Sequence, residues 1–464
     1  MDPTELAYAG VARQAELIRA REVSPLELVD LYLERIERID PQLNSFRTVA
    51  AERARAEARQ AEARVGAGDE RPLLGVPVAV KDNIDVAGEV TAHGSAAFGA
   101  PAAEDAEMVR RLREAGAILI GRTQMPELAI WPATESEAWG ITRNPWDTSR
   151  TPGGSSGGSG AAVAAGLVAG GVATDGGGSI RIPAACTGLV GLKTQRGRVR
   201  LSGAEEHWHG LSVAGAVTRH TIDTALWLDV VAGGAGAPDP DRPYVEAATT
   251  PPGKLRVAVS VKSPDPLVKV SGSVRRAIEE MAEVLRSLGH EVHERDPDTG
   301  WVLPLFLPRW AVGIRDEAES MAIYDALETR TRHTAALGRM LGMRGVRFAR
   351  DREEARARQV NAIFDDADVL MTPTIPHPPD VAGYYARAGI AGSINRASTT
   401  VVFANIWNVT GQPALAVPTQ STGPGGVPLS AQLVGRPNDE GTLLSLGAQL
   451  EAEIGWPERR PPVG

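Results

Sequence analysis

The chain has one cysteine, Cys186, in 464 residues. It can form no intramolecular disulfide, and a reducing compartment suits it. It has no excess of positive charge: 49 Lys and Arg stand against 58 Asp and Glu, a net charge of −9. The basic residues form no clustered stretch, so nucleic acid is not an expected partner. The start, MDPTELAYAG, lacks the basic and apolar regions of a secretory signal, and a cytoplasmic location is expected. No Gly-Lys-Ser/Thr follows the glycines, as a phosphate loop would need. No S-x-x-K occurs, and the last histidine, His377 in TPTIPHPP, lacks the setting of a late catalytic histidine. The closest pair of histidines, His207 and His209, has no Cys or carboxylate at ligand spacing. No metal and no cofactor are expected.

What is present concentrates at 151–191, TPGGSSGGSGAAVAAGLVAGGVATDGGGSIRIPAACTGLVG. Gly/Ser clusters at 153–160 and 176–179 flank a run of small residues, 161–173. Glycine lets backbone N–H groups approach a ligand closely. A serine hydroxyl becomes a nucleophile beside a base. Residues 151–174 carry no charge, but eight of them are glycine, which disfavours a membrane span. Val163, Leu167 and Gly170/Gly171 recur at helical spacing, so a small-residue helix is expected between the clusters. Gly153-Gly154-Ser155-Ser156-Gly157 matches G-x-S-x-G, but no hydrophobic strand precedes it, so it is not a nucleophile elbow.

Around this stretch the pattern is α/β. Ser24-Pro25-Leu26-Glu27 opens a helix that is expected to stop at Asp40-Pro41. Residues 47–65 read as an exposed helix of alternating charge. Val76, Val78 and Val80 alternate in a strand ending at Lys81, a position usually held by a solvated surface residue. Helix 105–115 and strand 117–121 continue a βαβ rhythm. Further on come helix Ile222–Ala232, a loop over Gly234–Gly253, strand Leu255–Val261, helix Ser273–Leu288 and a strand from His290. Residues 300–365 are helical. Asp368–Thr372 is a strand, Val401–Pro418 and Pro428–Gly435 contain more, and 439–453 is a closing helix. No linker separates two cores. The expectation is one α/β domain over 1–464, a mixed β-sheet flanked by helices, with a variable region at about 240–380.

Lys81, GGSSGGS (153–159) and DGGGSIRIPAACTGLVGLK (175–193) resemble the amidase signature family. GRTQMPELA (121–129), NVTGQPALAVP (408–418) and PLSAQLVGRPNDEGTLLSLGAQLE (428–451) extend the resemblance along the chain. It implies the family's fold and its Ser-cis-Ser-Lys triad. By motif, Ser179 is the nucleophile, Ser155 the bridging serine after a cis bond to Gly154, and Lys81 the base. The oxyanion hole falls on the N–H groups of Gly176, Gly177, Gly178 and Ser179. Asp175 and Arg181 fall on supporting positions, and Cys186 on a structural one. Gln124 stands where the family usually has Asn. Trp131 replaces a residue that is often small. Trp131, Phe403 and Trp407 are candidates for an apolar acyl pocket, with plain core as the alternative.

The activity so implied is hydrolysis of a carboxylic amide to acid plus ammonia or amine, through an acyl-enzyme. The expected partner is a small-molecule amide, with neither nucleic acid nor membrane, and a homodimer is left open. Two other readings remain. One is a hydrolase of urea-like or cyclic amides on the same fold. The other is the glutaminase subunit of a tRNA-dependent amidotransferase, although MAIYDALETRTRHTAALGRMLG lacks that subunit's S-x-N-L-A-R-Y-D-G-like segment. A non-catalytic binding relative is disfavoured because all three triad residues are present.

Overall fold

The computed structural model describes residues 1–201, 206–233 and 236–464. Its centre is an eleven-stranded mixed sheet. In chain order the strands are β1 (Phe46–Val49), β2 (Pro77–Lys81), β3 (Ile118–Thr123), a short hairpin β4 (Glu135–Ser136) and β5 (Gly140–Ile141), β6 (Gly170–Asp175), β7 (Val190–Lys193), β8 (Val213–Thr218), β9 (Arg256–Val259), β10 (Glu291–Glu294), β11 (Val369–Pro373), β12 (Ala414–Thr422) and β13 (Pro428–Val434). The sheet order is β1-β3-β2-β6-β8-β7-β12-β13-β11-β9-β10, and the hairpin stands apart. Two parallel triplets, β3-β2-β6 and β11-β9-β10, flank an antiparallel centre. Strand β2, Pro-Val-Ala-Val-Lys, is buried along its whole length, as a parallel strand covered on both faces must be. Among the described residues no helix is long and apolar enough to cross a membrane.

The first long helix has the expected start. The Ser24 side chain accepts from Glu27 N, and the Glu27 side chain accepts from Ser24 N. It runs past Pro41 to Leu43 and is closed by Asn44 in the left-handed conformation, φ 54°. A proline removes one N–H, and so near the end of a helix it costs a single bond in an already fraying turn. The helix expected from residue 47 begins only at Ala51. Phe46–Val49 instead pairs antiparallel with β3, a long-range partner that outweighs local helix propensity. The loop expected over Gly234–Gly253 holds a helix, Tyr244–Thr249. Its first N–H groups are satisfied by the Asp229 carboxylate, which accepts from Tyr244 N and Val245 N. Residues 234 and 235 of that expected loop lie outside the described residues. Val401–Pro418 begins with a helix, Asn405–Thr410, before β12.

The small-residue run also divides. Helix Gly157–Ala164 ends in a turn at Gly166, φ +64°, and β6 follows directly. The helix is buried on every side. A Cβ on Gly158 would lie 2.4 Å from Gln124 N, so only glycine lets this helix sit against the segment after β3.

Candidate active site

The two Gly/Ser clusters meet at the carboxyl ends of β2 and β6, where open α/β sheets place their ligands. Lys81 closes β2 and is fully buried. Its Nζ donates to Ser155 Oγ at 2.7 Å and to Thr174 Oγ1 at 2.9 Å. Asn83 Nδ2 donates to the same Thr174 hydroxyl at 3.1 Å. The surface lysine expected from the strand pattern is therefore an interior one. Burial pushes its pKa down to about 7, against the opposing pull of the Asp175 and Glu317 carboxylates. A buried ammonium loses its hydration, so the neutral amine is favoured.

Ser155 follows a cis peptide bond from Gly154. The second serine of the pair faces elsewhere: Ser156 Oγ donates to Thr174 O at 3.3 Å, and Ser156 N donates to Ser179 O at 3.2 Å. The latter bond holds the serine pair beside Ser179, which is half-buried.

Asp175 ends β6 and organises the glycine turn. Its Oδ1 accepts from Gly178 N at 2.7 Å and its Oδ2 from Ile180 N at 3.2 Å. Arg181 donates to both carboxylate oxygens, from Nε at 3.0 Å and from the other fork at 2.9 Å. Burial alone would raise the Asp175 pKa, but Arg181 holds it below the usual carboxylate range. Arg181 also donates to Gln432 Oε1, Asn408 Oδ1 and Ala404 O. Asn408 Nδ2 returns a bond to Asp175. Every member of this network is buried, as a low-dielectric polar cluster requires if it is to hold one geometry.

Of the expected oxyanion row, Gly178 N is already committed to Asp175. Among the described residues the N–H groups of Gly177 and Ser179 have no protein acceptor. Gly177 and Ser179 line a cavity of about 670 Å³, and Gly176 is walled by the Trp208 ring, 2.6 Å from where its Cβ would be. Trp131 lines the cavity, but Phe403 and Trp407 do not. Both are buried, and Trp407 packs in the second apolar cluster with Ile406 and Val409. The cavity wall comes instead from Trp208, Trp301, Phe306 and Trp310. Cys186 is buried beside Ile182, Ala185 and Ile375, and burial pushes its thiol well up. His207 Nε2 lies 2.5 Å from Glu317 Oε1, and His209 Nε2 lies 3.1 Å from Asp316 Oδ2.

Sequence reasoning missed Thr174, Asn408 and Gln432. The last two lie inside quoted motifs, NVTGQPALAVP and PLSAQLV, and their polar side chains among apolar neighbours were the available signal. A larger cavity of about 720 Å³ beside β9 and helix Gly272–Ser287 contains none of these residues.

A family model described as Amidase matches residues 27–444. The Mycobacterium tuberculosis protein named "Putative amidase AmiB2" is 48% identical over 465 residues, covering 100% of both chains. "Putative amidase AmiA2" of the same species is 41% identical, covering 96% of this chain and 93% of its own. The structure of 6-aminohexanoate cyclic dimer hydrolase superposes with a TM-score of 0.92 at 30% identity, over 98% of this chain and 99% of the other. The chain belongs to the amidase family and is an amidohydrolase acting on C–N amide bonds.

Proposed function

We propose that Ser179 is the nucleophile, Ser155 the proton bridge and Lys81 the base of this amidohydrolase. The observation that carries the reading is the buried Lys81 Nζ, 2.7 Å from Ser155 Oγ and with its pKa pushed down to about 7. Amides are poor electrophiles with a poor leaving group. Their hydrolysis needs an activated hydroxyl, a proton for the departing nitrogen and a cradle for oxyanion charge. Ser179 Oγ attacks the carbonyl carbon as its proton passes to Ser155 Oγ. The Ser155 proton passes in turn to Lys81 Nζ. The free N–H groups of Gly177 and Ser179 stabilise the oxyanion, with Gly176 beside them. Gly178 N instead holds the turn on Asp175. As the C–N bond breaks, Lys81 returns the proton through Ser155 to the nitrogen, which leaves as ammonia or amine. Water then attacks the ester on Ser179 by the same relay and the acid departs.

Intact-mass measurement with a slow ester tests this. Wild type should gain one acyl group, and Ser179→Ala should gain none while remaining folded. An adduct persisting on the Ala variant refutes the assignment.

A further inference from the structure

Resting on Ser179 as the nucleophile, we infer that the substrates are uncharged amides with a long, apolar, aromatic-bearing acyl chain. Three observations on the 670 Å³ cavity carry this.

The first is where it opens. Ser179, Gly177 and Ile182 line it, and Ser155 and Lys81 do not. The leaving nitrogen must collect its proton on the Ser155 side, which is closely packed. The open volume therefore belongs to the acyl side.

The second is its chemistry. Trp208 and Phe306 press on the glycine turn itself: a Cβ on Gly176 would meet Trp208 at 2.6 Å, and one on Gly177 would meet Phe306 at 3.0 Å. Trp131, Trp310, Trp301 and Leu267 continue the wall outward. Among the described lining residues the only ionisable side chain is Asp265, exposed at the rim, its carboxylate accepting from Leu267 N. A substrate carboxylate would find no lysine or arginine and would leave water unpaired, a large penalty. Two wall residues, Trp131 and Asn405, each carry a buried polar atom without a protein partner, Nε1 and Oδ1, and neither atom bears a charge.

The third is the rim. Leu267 is 89% exposed and Trp301 73% exposed, yet both line the same cavity as Ser179. Large apolar side chains exposed together at a cavity mouth mark a binding surface. A chain reaching from Ser179 to the rim covers them, and a short acyl group does not.

The test compares ammonia release from propanamide, 6-phenylhexanamide and the monoamide of adipic acid, so the leaving group is constant. The full-length enzyme is used with Trp301→Ser and Leu267→Ser, both at exposed positions. For wild type, kcat/KM should be roughly 100-fold higher for 6-phenylhexanamide than for propanamide. The adipic monoamide should fall below propanamide. Each rim variant should cut the phenylhexanamide-to-propanamide ratio about tenfold, chiefly through KM. The inference is overturned if the anionic amide equals or exceeds the phenyl one, or if neither rim variant moves the ratio. An enzyme acylated on Ser179 that prefers the anionic amide refutes this inference alone. An enzyme that turns over amides with no adduct on Ser179 refutes the reading beneath it.

Discussion

If Lys81 is the base, the rate should follow its neutral fraction. An unperturbed lysine near pKa 10.5 is neutral in only about 3 of 10,000 molecules at pH 7. With burial lowering its pKa to about 7, about half are neutral there. kcat/KM should therefore rise with pH, roughly tenfold per unit below pH 7, and level off above it. The sign is fixed by the base role: falling pH protonates Lys81, and a charged Lys81 cannot accept the Ser155 proton. Lys81→Met keeps the aliphatic volume and removes the amine. It should lose about 100- to 10,000-fold in rate together with the acid limb. Thr174→Val is a finer probe. Thr174 Oγ1 accepts from Nζ at 2.9 Å, a bond that is stronger to the ammonium than to the amine. Its removal disfavours the charged form, so the limb should move to lower pH by about one unit, while Ser155 keeps its own contact with Lys81. The assay is a pH–rate profile of the three proteins on one amide. A limb near pH 7 that survives in Lys81→Met, or a limb that moves upward in Thr174→Val, refutes the relay.

Exhaustive chelation should leave the rate unchanged, because the proposed base is an amine and no group of three His, Cys, Asp or Glu among the described residues is arranged to hold a metal. Loss restored by a divalent ion would contradict the mechanism. The purified chain should release ammonia from a simple amide without tRNA, ATP or a second protein. Activity confined to glutamine and dependent on a partner would favour the amidotransferase reading. Arg181→Met strands the fully buried Asp175 carboxylate and should cost about 3–5 kcal/mol of stability by denaturant titration. A loss below about 1 kcal/mol would mean that Asn408 and the turn N–H groups suffice to hold that charge.

The fold class was legible in the α/β rhythm, and the residues proposed for chemistry were singled out by the family resemblance, because GGSSGGS around Ser155 and the three glycines before Ser179 are short contiguous motifs. What local pattern could not reveal depends on distant partners. Strand β1 exists because β3 lies beside it, and helix Tyr244–Thr249 starts where Asp229 caps it. The burial of Lys81 is of the same kind, since a strand-end lysine is buried only if something covers it. The wall of the cavity beside Ser179 was the least legible part. Phe403 and Trp407 lay close to a motif and drew attention, but they pack inward. Trp208 and Phe306 come from segments with no recognisable pattern and reach Gly176 and Gly177 only in three dimensions, and Trp310 lines the same cavity.

To serve as the proposed base, Lys81 has to lose its proton beside two carboxylates that both favour its protonation, Asp175 and Glu317. Each of them is held by donors of its own. Asp175 has both oxygens taken by Arg181, with Gly178 N, Ile180 N and Asn408 Nδ2 also donating to it. Glu317 Oε1 lies 2.5 Å from His207 Nε2 and accepts from Trp208 Nε1 at 2.7 Å. A carboxylate that accepts from several donors projects less field toward Nζ than a bare one would, and desolvation is the larger influence on Lys81. The arrangement also couples two parts of the enzyme. The Trp208 ring that walls the glycine turn is held by the same Glu317 whose charge bears on Lys81. Glu317 thus bears on both, on the cavity wall through the bond from Trp208 Nε1 and on Lys81 through its charge.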